Sequence, residues 1–257
     1  MTDDKITEIF IKGYDRAYTV NATGLKVREL ELSIGLEKPL LLALMTDSHI
    51  RSDERVLSAF ENTLSAAAQA DFLIMLGDNI ESSSRKENVE VLVNSVFDKF
   101  KNLVCVIGNH EKFYGDEVAL RKYVDSIWPH DTRYYSKTLA DKIMLVAMDN
   151  NEYYFTSEQC EKFEADIAFA REKGFRIILL THVRFDCLDS GKSANGRMQK
   201  LIYTAGDVLL ASFSGHSHRD EYHEYSSGDK GHKFPAFNID ACDSLEACGN
   251  ILFLRLA

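Results

Sequence analysis

Six short apolar runs recur along the chain, at 40–45, 72–76, 103–107, 143–148, 177–180 and 208–213, each closed by a polar cluster. Runs of this length bounded by polar turns predict strands buried on both faces, because a strand covered on one face alternates apolar with polar residues. Between them the period changes. Over 87–101 the apolar positions are Val89, Leu92, Val93, Val96, Phe97 and Phe100, the stripe of an amphipathic helix. Val56, Leu57, Phe60 and Leu64 predict a second helix over 52–69. A third is predicted over 157–173, with Ser157 as N-cap and Gly174 as the stop. Asp47 to Asp78 and Asp78 to Asn109 are each 31 residues, and His182 to His216 is 34, the length of a strand–helix–strand unit. No sequence self-similarity accompanies the spacing, which argues against a solenoid.

Two regions depart from the alternation. The stretch 111–142 is long for a connection and predicts a helix over 116–127, through Leu120, Tyr123, Val124 and Ile127, then a strand through Tyr134 and Tyr135. The ends carry β-leaning pieces at 18–21, 27–34 and 251–254. With three prolines and no Ser/Gly/Pro-rich linker, the chain reads as one α/β domain over 1–257. It divides into N-terminal extra strands (1–39), a motif-bearing core (40–220) and C-terminal strands (221–257).

Composition narrows the partners. The 257 residues carry 40 acidic against 30 basic side chains, a formal charge of -10, which works against nonspecific binding to nucleic acid or anionic lipid. The longest apolar run, 40–45, is far short of the roughly 20 residues that span a bilayer, so no membrane insertion is expected. The start MTDDKITE has neither the basic nor the apolar region of a signal peptide. Five scattered cysteines, an odd number without a CxxC pair, fit a reduced, cytoplasmic setting.

The histidines change the picture. Five of eight (His49, His110, His182, His216 and His218) fall within a few residues after apolar runs, together with Asp47, Asp78 and Asn109. Ligand sites in α/β sheets form at the carboxyl ends of strands, where residues distant in sequence converge. Asp47 with His49, and His216 with His218, are spaced i and i+2, so in extended backbone both members face one side. Imidazole, carboxylate and amide oxygen form a ligand set suited to Zn, Mn, Fe, Co or Ni, with no cysteine present to indicate a thiolate site.

In order, TDSH at 46–49, GDN at 77–79, GNHE at 108–111, TH at 181–182 and GHSH at 215–218 resemble the motif set of the calcineurin-like metallophosphoesterases. The resemblance covers roughly 40–220 and implies a central β-sandwich flanked by helices (an α/β/β/α four-layer fold) with a dinuclear metal site at the C-terminal ends of the strands. Position by position, it implies one metal on Asp47, His49, Asp78 and His218, and a second on Asp78, Asn109, His182 and His216, with Asp78 bridging. The ions would be two divalent or mixed-valence transition metals, Mn, Fe or Zn. His110 would face the phosphate, and Glu81 would orient His110 through its carboxylate, although at this offset some members of the family carry aspartate.

Two divalent ions against two carboxylates and a hydroxide leave a small positive excess, suited to an anionic phosphate. The implied reaction is hydrolysis of a small phosphomonoester or phosphodiester by a metal-bridging hydroxide, with His110 assisting. The alternative is a noncatalytic interaction scaffold on the same fold with a retained metal site. Arg51, Arg184, Lys192, Arg197 and Arg219 flank the motifs as candidate phosphate contacts, and Tyr114 as a stacking residue. Asp149 is expected to serve a turn or cap, Cys187 to be an ordinary thiol, and His130, His223 and His232 to play no part.

Overall fold

A computed structural model describes residues 11–12, 18–82, 85–97, 99–111, 133–140, 142–227, 232–243 and 248–257. The first half runs β1 (Ile11–Lys12), β2 (Thr19–Val20), β3 (Lys26–Leu32), β4 (Leu40–Met45), α1 (Glu54–Ala67), β5 (Phe72–Met75), α2 (Lys86–Leu92) and β6 (Leu103–Cys105). The second runs β7 (Tyr134–Ala140), β8 (Ile143–Met148), α3 (Ser157–Lys173), β9 (Arg176–Thr181), α4 (Asn195–Thr204), β10 (Leu209–Ser214), β11 (Glu221–Ser227), β12 (His232–Asn238) and β13 (Asn250–Leu256).

Two sheets form. One has the order β1-β3-β13-β4-β5-β6, with β2 also on β3, and the other has β11-β12-β10-β9-β8-β7. In the first, β4, β5 and β6 are parallel; in the second, β8, β9, β10 and β12 are. The apolar runs are continuous because alternate residues feed different cores. Leu42, Leu44, Ile74, Val104 and Leu254 meet Leu145, Ile178, Leu180, Leu210 and Phe213 between the sheets. Their neighbours Ala43, Met45, Leu73 and Met75 pack on Phe60, Leu64, Val89 and Leu92 of α1 and α2. On the far side Val146, Met148, Ile177 and Leu179 pack on Phe163, Ile167, Met198 and Ile202 of α3 and α4. The outcome is helix, sheet, sheet, helix.

The helices differ from expectation in detail. α1 starts at Glu54 because the Asp53 side chain accepts from Arg55 N and Val56 N. The helix predicted over 87–101 is α-helical only through Leu92 and continues as a wide π turn over Val93–Phe97. In α3 the N-cap is Thr156, not Ser157: its backbone is extended and its hydroxyl accepts from Gln159 N, while Gln159 Oε1 accepts from Thr156 N at 2.8 Å. Gly174 closes α3 at φ 71° as expected. β11 and β12 fall within 221–257, expected as C-terminal strands, and α4 within the strand–helix–strand unit expected over 182–216, though neither had been given bounds; the helix predicted over 116–127 lies outside the described residues, as do Tyr114 and His130. No helix among the described residues is long and apolar enough to cross a membrane.

Gln159 also donates to the carbonyls of Arg133 and Asp149, so the cap of α3 ties down the loop after β8. Thr156→Ala is expected to lower stability by about 1 kcal/mol, read as a lower urea midpoint at unchanged slope. An unmoved midpoint would show that the box adds nothing.

Candidate metal centre

The carboxyl ends of β4, β5 and β6 in one sheet and of β9 and β10 in the other lie along one rim. Beyond the strands the ladder continues: Asp47 N donates to Gly77 O, His49 N to Asp78 O and Gly215 N to His182 O. The site residues turn there in the left-handed region, at φ 51° for Asp47, 45° for His49, 49° for Asp78, 71° for His216 and 52° for His218. Such conformations cost of order 1–3 kcal/mol each and persist where surrounding bonds over-determine them. Two glycines allow the close approach. A Cβ on Gly108 would overlap the Asp78 carboxylate, and one on Gly215 the hydroxyl of Thr46.

Three donors converge at the first position. His218 Nε2 is 3.2 Å from Asp47 Oδ1 and 3.3 Å from His49 Nε2, and His49 Nε2 is 3.8 Å from the same oxygen. The other Asp47 oxygen is occupied, accepting from Thr46 Oγ1 at 2.6 Å and His216 N at 2.9 Å. Oδ1 is buried and makes no well-directed hydrogen bond. Nitrogen and oxygen ligands of one ion, at roughly 2.0–2.2 Å from it, sit roughly 3.0–3.5 Å apart. A buried carboxylate oxygen and facing imidazole nitrogens at this spacing fit a metal ion. Burial pushes the Asp47 carboxyl up, but contact with His218 and the charge of His182 hold it below its ordinary value.

At the second position His182 Nε2 is 3.1 Å from Asn109 Oδ1 and 3.2 Å from Asp78 Oδ2. His182 Nδ1 donates to Leu76 O at 2.8 Å, which leaves Nε2 facing two oxygens. A bare lone pair there would repel both, so Nε2 carries a proton or a metal. In the metal-free protein it is a proton: burial alone would lower the imidazole, but the hydrogen bond and charge of Asp78 raise it to about 9. Asp78 groups with His49 and His110 on one side and with His182 and His216 on the other. The structure thus brings together Asp47, His49, Asp78, Asn109, His182, His216 and His218. His49, Asp78, Asn109, His216 and His218 line a cleft of about 550 Å³ with Arg51, Glu81, His110 and Asp243.

Glu81 corrects the expectation. His110 Nδ1 donates to the main-chain carbonyl of Glu81 at 2.9 Å, not to its carboxylate. The longer side chain carries the carboxylate past that ring, to 3.2 Å from His49 Nδ1 and 3.5 Å from Arg51 Nη1. Arg51 also meets Asp243 at 3.1 Å and is the one flanking cation of the five that lines this cleft. Arg184 is taken by Asp186 and Glu221, Lys192 by Glu152 O and Arg197 by Glu164. Arg219 is exposed, and Cys187 is an exposed free thiol. Asp149 makes the expected turn, accepting from Asn151 N.

Glu111 was missed. Fully buried, its Oε2 accepts from Asp78 N at 2.9 Å and Gly108 N at 2.6 Å, and its Oε1 from Asn79 N at 2.5 Å and Ile80 N at 3.2 Å. One carboxylate thereby clamps the two loops that present Asp78 and Asn109. Burial and the charge on Asp78 push its carboxyl up, to about 7, against the amide donors and His182. All four contacts are donors, which suits the ionised form. The only signal was its place directly after GNH.

Residues 40–220 match the sequence pattern of the calcineurin-like phosphoesterases. The chain belongs to this family. Calcineurin-like phosphoesterases are metal-dependent hydrolases of phosphoesters, and the candidate ligand clusters lie where the matched region folds together. Solved structures share the fold. A dimetal phosphatase of Danio rerio superposes with TM-score 0.61 at 12% identity, over 79% of this chain and 88% of that one. The purple acid phosphatase PPD1 of yellow lupin gives 0.56 at 13%, over 81% of this chain and 46% of that one. GAP50, the anchor in the inner membrane complex of Plasmodium, gives 0.56 at 13%, over 79% and 72%. No curated protein sequence matches this calcineurin-like phosphoesterase chain.

Proposed function

We propose that this chain, as one domain over 1–257, hydrolyses small phosphomonoesters or phosphodiesters at a dinuclear metal centre. Asp47, His49, Asp78 and His218 would hold one ion, and Asp78, Asn109, His182 and His216 the other. The observation that carries the reading is two donor sets with spacings of 3.1–3.8 Å, one on Asp47, His49 and His218 and one on Asp78, Asn109 and His182, with Asp78 also grouped with His49 of the first. When bound, two such ions supply Lewis-acid charge at phosphoryl oxygens and lower the pKa of water.

The chain's own residues divide the remaining work. A carbonyl only accepts, so Glu81 O keeps the proton on His110 Nδ1 and makes Nε2 the nitrogen that gives or takes a proton at the leaving group. Leu76 O does the same for His182 and turns its Nε2 to the metal. Glu81 acts here through its carbonyl, while its carboxylate steadies His49 and Arg51. Arg51, tethered through Nη1, supplies the cation beside the substrate. Free Cys105, Cys160 and Cys242, all buried, suit a reducing, cytoplasmic compartment. The charge of -10 disfavours nucleic acid as substrate. A scaffold would be expected to lose ligands, whereas this chain keeps all seven and His110.

The test is turnover of aryl phosphate mono- and diesters with Mn²⁺, abolished by chelator. His110→Ala should lower kcat by about 10²–10⁴-fold at unchanged metal content. A fully metallated wild type that cleaves neither these nor a broad set of natural phosphoesters would leave the scaffold as the better reading. Wild-type rates from metallated His110→Ala would remove His110 from the chemistry.

A further inference from the structure

Tyr153 follows β8 and stands over the second metal position. Tyr153 is 45% exposed, high for an aromatic residue. Its backbone is at φ 62°, an outlier for a bulky residue. Neither feature stabilises the fold. What the conformation achieves is contact with His216: the phenol oxygen is 3.1 Å from His216 Nε2, and the rings meet edge to face at 5.4 Å.

The loop is built to hold this strain. Tyr153 N donates to Asn150 O, and buried Asn150 clasps Val183, next to His182, through both its N–H (3.0 Å) and its carbonyl (2.6 Å). Buried Asn195, which opens α4, donates to Tyr153 O at 3.2 Å and Asp189 O at 2.9 Å, and accepts from Phe155 N at 2.7 Å. Lys192 Nζ adds a bond to Glu152 O. A strained residue persists when its surroundings over-determine it, and here they do so beside a functional site.

We propose that Tyr153 is a positioning residue for the metal held at His216, holding the imidazole by its Nε2 edge so that Nδ1 is the nitrogen left for the metal. This rests on the metal reading above. A neutral imidazole has one N–H. With a metal on Nδ1, the one N–H of the neutral ring lies on Nε2 and donates to the phenol oxygen, which holds the ring at that angle. Leu76 O holds the His182 ring by its other edge, from inside the protein.

The experiment is titration of metal-free protein with Co²⁺, followed by visible absorbance and calorimetry, for wild type and Tyr153→Phe, which keeps the ring. Losing a partner of a metal-ligating histidine is expected to weaken one of two Co²⁺ sites by about 10–100-fold, leaving the other site and the metal-free melting midpoint unchanged. Wild-type affinity at both sites in Tyr153→Phe overturns the proposal while the metal centre stands. A wild type that takes up no Co²⁺ removes both.

Discussion

Asp78→Asn is expected to abolish turnover and to empty at least one metal position. The side chain lies 2% exposed between two donor clusters, and no other carboxylate among the described residues belongs to both. Two unit charges 4 Å apart attract by about 4 kcal/mol at an effective dielectric of 20, and a dication doubles that. An amide forfeits most of this for each ion, so affinity should fall by about 10³-fold or more. Metal content after dialysis, measured with the rate, checks it. A variant that retains two ions and a near-wild-type rate would mean that Asp78 does not bridge.

The metal-free variant tests the same residue from the other side. Asp78 raises the His182 imidazole to about 9, above its ordinary 6.5. A raised folded-state pKa contributes stability that is fully present below 6.5 and is lost as pH climbs through 9. Metal-free wild type should therefore lose stability across that window, and metal-free Asp78→Asn should show a flatter profile there.

Glu111→Gln should be nearly as damaging for a different reason. One amide NH₂ would replace an oxygen that now accepts two main-chain N–H bonds, so donors would face donors in a fully buried place. Each buried group left unsatisfied costs about 1–3 kcal/mol, a large share of a domain's typical 5–15 kcal/mol. Metal affinity should drop with stability, since the same loops present Asp78 and Asn109. A lower urea midpoint together with weaker Mn²⁺ binding is the expected pair of results. If glutamine proves mild on both counts, the native carboxyl is protonated and the clamp is a neutral one.

The strands of both sheets were legible because burial on both faces leaves an apolar run that nothing else explains, as in 40–45 and 143–148. The rim residues were legible because imidazole, carboxylate and amide rarely follow five of six such runs by chance. What lay outside local pattern had no bounds or no signal. β11 is polar, and β12 holds Pro235 just before the part that pairs with β10, Ala236–Asn238, so neither resembles a buried strand. α4 has no side-chain cap to announce it. Asp243 and Tyr153 act through partners 63 or more residues away, and Glu111, besides nearby Gly108, through Asp78, Asn79 and Ile80 at least 31 away, which no spacing rule reaches. For Glu81 the neighbour was right and the atom wrong, because an extra methylene moves a carboxylate while the carbonyl stays.

The seven candidate donors are split between the sheets, Asp47, His49, Asp78 and Asn109 from one and His182, His216 and His218 from the other. Neither sheet alone has a complete site, so the site exists only after the sheets have docked. An ion that binds both halves acts as a late rivet. Such an interaction, absent while the layers are still coming together, leaves the folding rate alone and slows escape from the native state. Removing the metal should therefore shorten the lifetime of the folded protein far more than it delays refolding.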